Sequence, residues 1–335
     1  MSNDLRTPFA PILNSGRLPR IAAAAAGRAP PRRENVARSL NFIACPADCC
    51  QYERGSPMNI VIGAVVVIVC VISGYLMAHG ILGVLFQPSE FIVIGGAAVG
   101  SLIIGTPMPV VKEIVSGLLG HITGKTIKHG DSLTTLQVLH ELAATMRKEG
   151  KLALEPHLEN PEGSSIFGKL GSHHRIMEVL ADGLRMVTMD TDPAQLSEMM
   201  DKDLETREEE LVEPAEALSH VADALPGLGI VAAVLGIINT MNSIGGDSAA
   251  VGEHVAAALV GTFLGVLLAY GFLGPMAQIL KRIALNEIAL LRAAATGVMM
   301  IAEEANPLVV CEAARRSIPE EMRPKFAEME TLLRG

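Results

Sequence analysis

Thr262 is the one aliphatic hydroxyl in the stretch LVGTFLGVLLAYGFLGP, which runs from Leu259 to Pro275 with Gly261, Gly265 and Ala269 around it and no carboxylate or basic group. Asn239, Thr240 and Asn242 close the apolar stretch before it. Polar side chains at membrane depth are costly, so they mark either helix contacts or function. The plainer reading of Thr262 is a hydrogen bond to a neighbouring helix or to its own backbone four residues earlier. The sharper one is ion handling. Both stretches lack a carboxylate or basic group, so an ion path here would need a carboxylate from another chain.

The remaining candidates lie outside the apolar stretches. Arg147, Lys148, Glu149, Lys151 and Glu155 crowd the segment MRKEGKLALEP, where Gly150 should end a helix and leave the charges in water. Exposed charges usually form an ordinary solvated face, and pairs among them contribute little to stability. Between Asp190 and Glu216 eleven acids stand against two bases, which also reads as a solvated face. His173 and His174 have the right chemistry for a metal, but adjacent side chains diverge on a helix and nothing nearby completes a ligand set. Cys45, Cys49 and Cys50 have no further partner either. The sequence lacks a phosphate-binding glycine loop ending in Lys-Ser/Thr, a Gly-x-Ser-x-Gly elbow and an HExxH helix. No enzyme, resident cofactor or metal is expected.

Composition sets the elements that must hold these groups. Half of the 335 residues are hydrophobic, 19% are charged, aromatics are only 3% and the mean hydropathy is +0.37. Such a chain is divided between bilayer and water, with small and branched aliphatic residues packing helix on helix. A net charge of −9 argues against nucleic acid as a partner. Four stretches approach the roughly 20 residues that cross a bilayer: 59–78, 91–111, 225–244 and 255–275. They form two hairpins joined by short links without Lys or Arg. Lys112, Lys125 and Lys128 follow the second span and Lys281 and Arg282 the fourth, so the positive-inside rule places the middle segment and both termini in the cytoplasm.

The expected architecture is an all-α membrane protein. Residues 1–57 form a disordered basic leader, with Met58 an alternative start. Residues 58–111 and 225–275 are the membrane hairpins, the second lining the ion path. Residues 112–224 are a cytoplasmic helical insert and 276–335 a helical tail. Within the insert, Leu133, Leu136, Leu139, Leu142, Ala143 and Met146 recur at helical spacing after Asp131, and Ile176, Val179, Leu180, Leu184 and Val187 share a face from Arg175 to Met189. NPEG at 160–163 is a turn, and a long helix starting at Pro193 should bend at Pro214.

ALPGLGIVAAVLGI, LVGTFLGVLLAYGFLGP and RKEGKLALEPHLENPEGSSIF resemble the flagellar motor stator family MotA, over Met58 to about residue 330. The resemblance implies an inner-membrane homo-oligomer, five copies around two copies of a MotB-like B subunit that brings an ion-binding aspartate and grips peptidoglycan. It implies that Thr262 faces that aspartate, that Pro226 and Pro275 open the third span and close the fourth, and that Ala258 and Gly265 belong to the ion pathway and B-subunit contact. It further implies that Arg147 and Glu155, with Lys148, Glu149 and Lys151 between them, face the rotor switch protein FliG. The transported ion is expected to be the proton, with sodium, as in a PomA-type stator, left open. An energiser of the ExbB or TolQ type is the first rival and a non-conducting membrane scaffold the second.

Overall fold

The computed structural model describes residues 57–124, 127, 129–171, 173–241 and 248–334. The leader, its cysteines, Lys125, Lys128 and Asn242 lie outside the described residues. Every regular element among the described residues is helical. Four helices are long and apolar enough to cross a membrane.

The first is α1 (Pro57–Met77), an apolar helix whose aliphatic side chains stay largely exposed, as at Val61, Val65, Val66 and Val69. A single turn, α2 (Leu82–Leu85), leads to α3 (Pro88–Gly105), which starts on Pro88 in its first turn. The second apolar stretch was expected to continue to Val111. The helix instead stops at Gly105, because Thr106 and Pro107 take extended ψ angles of 132° and 143°. Pro107 restricts the residue before it to extended conformations, and Met108 then begins a separate helix, α4 (Met108–Ile122).

The insert begins properly with α5 (His129–Glu149). Leu136, Leu139, Leu142, Ala143 and Met146 are buried as the spacing requires, while Leu133 is half-buried. Gly150 closes the helix at φ 86°, with its N–H donating to the Met146 carbonyl at 2.9 Å. A 3₁₀ turn (Lys151–Leu154) and α6 (Glu155–Glu159) follow. At the expected NPEG turn the Gly163 N–H donates to Asn160 Oδ1 at 3.1 Å. The next helix, α7 (His174–Thr188), buries Ile176, Val179, Leu180, Leu184 and Val187, one face of a strongly amphipathic helix.

Two long helices connect the halves. α8 (Pro193–Met241) is 49 residues long and runs unbroken through Pro214 and Pro226. It returns as α9 (Ser248–Leu268), which passes through a π-helical turn (Ala269–Leu273) into α10 (Gly274–Ala302). Pro275 explains the wide turn: it has no N–H, and its ring would strike the carbonyl four residues back in a regular helix. One extra residue relieves the clash, and the Gly274 N–H reaches the Ala269 carbonyl. Two shorter helices, α11 (Pro307–Ser317) and α12 (Phe326–Arg334), end the chain.

Insert and tail share one core. Leu136, Leu139 and Leu142 of α5, Leu180 and Leu184 of α7, Leu196 of α8, Leu290, Leu291 and Val298 of α10, and Val310 and Cys311 of α11 form a single buried cluster. The Cys311 thiol donates to the Leu136 carbonyl at 3.3 Å, and burial pushes its pKa up to about 12. On α11, Glu312 accepts from Arg315 Nε at 2.7 Å and from Arg316 Nε at 2.8 Å, and these partners, Arg315 foremost, hold its carboxyl at about 2.

Candidate functional site

The two apolar helices α8 and α9 approach closely enough for backbone to touch backbone. A Cβ at Gly229 would lie 2.9 Å from the Gly261 carbonyl and 3.1 Å from Gly265 Cα, one at Gly265 only 2.7 Å from the Leu225 carbonyl, and one at Gly236 2.8 Å from Ala258 Cβ. Small residues at these positions are therefore what the seam requires, as in other helix pairs within lipid. Ala258 and Gly265 are buried in this seam inside the chain.

Thr262 sits beside the seam. Its Cα would be 3.3 Å from a Cβ at Gly229, so Thr262 is level with Gly229, and Pro226 stands three residues, about one turn, further along α8. Thr262 is half-buried, and among the described residues its hydroxyl makes no hydrogen bond. Thr240 behaves otherwise: it is buried, and its hydroxyl donates to the Gly236 carbonyl four residues back at 2.9 Å. The self-bonding expected as the plainer role of a threonine here is thus met by Thr240. Pro275 lies further along, at the start of α10 just past the π-turn, and Pro226 removes a donor from α8 one turn from Thr262.

A residue that the sequence reading placed in a link, Glu90, belongs to this neighbourhood. It lies in the first turn of α3, is 7% exposed, and its Oε2 has no hydrogen-bond partner. That oxygen points at α9, where a Cβ on Gly261 would be 2.5 Å away. The signal available in the sequence was a lone acid two residues after Pro88, opening an apolar run.

The charges of the insert gather around the end of α5. Arg147, Lys148, Glu149 and Glu155 are exposed and form no ion pair among the described residues. Lys151 does not share that freedom, being paired with Asp190 beyond α7. His173 Nε2 stands 3.3 Å from Asp131 Oδ1, which ties the start of α7 to the first turn of α5. In the acidic run, Asp203 and Glu208 are held by Arg207 and Arg292. Arg175 bridges Glu287 of α10 at 3.1 Å and Glu113 of α4 at 3.5 Å.

Four apolar helices, an uncharged glycine seam with a hydroxyl beside it and a charged helical body define a polytopic helical membrane protein. Residues 61–150 match the model of the motility protein A N-terminal region and residues 172–293 that of the MotA/TolQ/ExbB proton channel family. The chain is 39% identical over 277 residues to chemotaxis protein LafT of Vibrio parahaemolyticus, covering 81% of this chain and 97% of the relative. It is 33% identical over 285 residues to motility protein A of Salmonella typhimurium, covering 83% and 96%. The chain belongs to the motility protein A family. Its fold matches that in the structure of Campylobacter jejuni MotAB, with a TM-score of 0.64 at 21% identity over 79% of this chain and 96% of the other. The flagellar MotAB stator complex from Bacillus subtilis gives a TM-score of 0.61 at 23% identity, over 80% and 98%.

Proposed function

We propose that the chain is the A subunit of a flagellar motor stator, forming with a MotB-like B subunit an ion channel that turns ion flow into torque on the rotor. The observation that carries this reading is Thr262, a free hydroxyl one turn from Pro226, beside a seam so tight that any charged group must come from outside it. The B subunit's aspartate is that group, standing opposite Thr262. The exposed aliphatic faces of α1, of α8 at Ile230, Val234 and Ile237, and of α9 at Leu259 and Val266 are left for lipid, for further copies of the chain and for the B subunit. A ring of five copies around two B subunits fits this supply of apolar surface. The chain then lies in the inner membrane with insert, tail and both termini cytoplasmic, acting as a channel and not as an enzyme.

The energetics are adequate. One charge moving down a potential of about 150 mV releases about 3.5 kcal/mol, enough to bias a rotation step when ion binding at the aspartate alters its contacts with the ring. Pro226 and Pro275 loosen the two helices where they leave the seam. The exposed Arg147, Lys148, Glu149 and Glu155 present complementary charge to the switch protein FliG, with Lys151 beside them anchored to Asp190; such charges set docking partner and register more than affinity.

Co-expression with a B subunit tests the reading. Ion uptake and restored swimming are expected, with Thr262→Val, which keeps shape and removes the hydroxyl, lowering uptake while leaving the complex intact. Normal torque in that variant would return Thr262 to packing. Uptake that depends on sodium and resists a protonophore would make this a sodium stator. Uptake without rotation, coupled to a periplasmic partner, would make it an energiser of the ExbB or TolQ type.

A further inference from the structure

The chain itself brings a carboxyl to the ion path. Glu90 is buried at 7% exposure, its Oε2 is unpartnered, and that oxygen rests in the notch left by Gly261, the residue immediately before Thr262. The apolar segments around it hold no compensating charge: Leu225–Met241 of α8 and Val255–Leu268 of α9 contain no Lys, Arg, His, Asp or Glu. The plainer role for an acid in the first turn of a helix is to favour the positive end of the dipole. That role is served equally well by an exposed side chain in water. Burial against an apolar neighbour with a lone pair unmet costs more than the dipole returns, so the position calls for a cation or a proton at Oε2. Gly261 is the contact that makes room for it, since any side chain there would meet the carboxyl.

We propose that Glu90 is an ion-accepting residue of the chain's own path, taking up the transported cation at Oε2 beside Gly261 on its way to the level of Thr262. This rests on the reading of the chain as an ion-conducting subunit. It places a carboxyl in each copy of the A subunit, at the end of the hairpins where α1 and α3 are linked, ahead of the carboxylate supplied by the B subunit. A proton and a sodium ion satisfy the same oxygen, so the experiment carries one arm for each.

The test uses the full chain in complex with its B subunit in membrane vesicles, following uptake after an acid pulse and after a sodium pulse. Glu90→Gln should lower uptake of whichever ion the unaltered complex carries by roughly tenfold or more, with co-purification of the B subunit unchanged. Uptake equal to that of the unaltered complex overturns the inference. If Glu90→Gln does not assemble, Glu90→Leu is used, because leucine suits the apolar contact and removes the unmet oxygen. An assembled Glu90→Leu complex that fails to conduct supports the role, and one that conducts normally overturns it. Failure of both variants to assemble assigns Glu90 to packing and also overturns it. Thr262→Val provides the separation: loss of uptake there with normal uptake in Glu90→Gln leaves the channel standing and removes Glu90 from it. An unaltered complex that conducts neither ion overturns both readings.

Discussion

Gly265 in the apolar hairpin and Gly297 in the core shared by insert and tail both exclude a side chain, but different things exclude it. A Cβ at Gly265 would meet the Leu225 carbonyl at 2.7 Å and Gly229 Cα at 2.9 Å, whereas the atoms nearest to one at Gly297 belong to the Leu139 side chain, the first at 2.3 Å. The first obstacle is backbone and cannot turn aside. The second is a movable isobutyl group. Within lipid, water exclusion contributes nothing to bringing helices together, so closeness itself is the attraction. The core shared by insert and tail gains instead by taking large aliphatic groups out of water.

The largest effect that would break this comparison is at the seam. Gly265→Val should separate α8 from α9 and remove the protein from the membrane, measured as the amount recovered in the membrane fraction. Leu225→Ala should not rescue it, since the obstructing atom is a carbonyl. Next in size, Leu139→Ala should cost about 3 kcal/mol as a cavity in the core of insert and tail, and Gly297→Ala about 2 kcal/mol by overpacking. The double variant should cost less than the sum by about 1 kcal/mol, because the new methyl enters the space vacated. Denaturant unfolding in detergent reads all three. Strict additivity there would show that Gly297 is not limited by Leu139.

A smaller effect separates the halves by pH. Glu312 is held down at about 2 from an ordinary 4.5, so its contribution is fully present above 4.5 and is lost as pH falls toward 2. The body formed by insert and tail should lose stability over that window as pH falls, and Glu312→Gln should flatten the dependence. An unchanged profile in Glu312→Gln would show that the arginine pairing of α11 has no part in it. The smallest effect on stability belongs to the charge patch. Arg147→Glu and Glu155→Lys should each change it by less than about 1 kcal/mol, yet each should impair swimming with ion uptake unaltered. Normal swimming in both would move the rotor contact elsewhere on the insert.

The sequence made some of this legible and hid the rest for identifiable reasons. α7 was readable because Ile176, Val179, Leu180, Leu184 and Val187 repeat with the helical period and all are buried. Thr262 stood out because a hydroxyl among glycines and leucines has few neighbours to compete with it. Glu90 did not, since an acid at the edge of an apolar run looks like the solvated end of a link, and only the approach of α9 at Gly261 shows it to be covered. The end of the second span was misjudged at Gly105 because Val110 and Val111 continue the apolar composition past Pro107, and composition carries no information about a change of direction. The π-turn before Pro275 was hidden for a similar reason: the proline announces a disturbance, and packing decides how the helix absorbs it.

The unbroken course of α8 has a consequence for how this molecule can vary in length. At about 1.5 Å per residue, its 49 residues extend about 70 Å, with Leu196 and Met200 in the core of insert and tail near one end and Gly229 and Ala232 in the hairpin near the other. No loop lies between them to take up slack. One residue added in that interval would turn everything beyond it by about 100°, swinging the glycines out of the seam and bulky neighbours into it. Two full turns, about seven residues, are the smallest insertion that brings every face nearly back into phase. Length along this rod is therefore quantised, and the two ends keep a common register in the way that two gears on one shaft do.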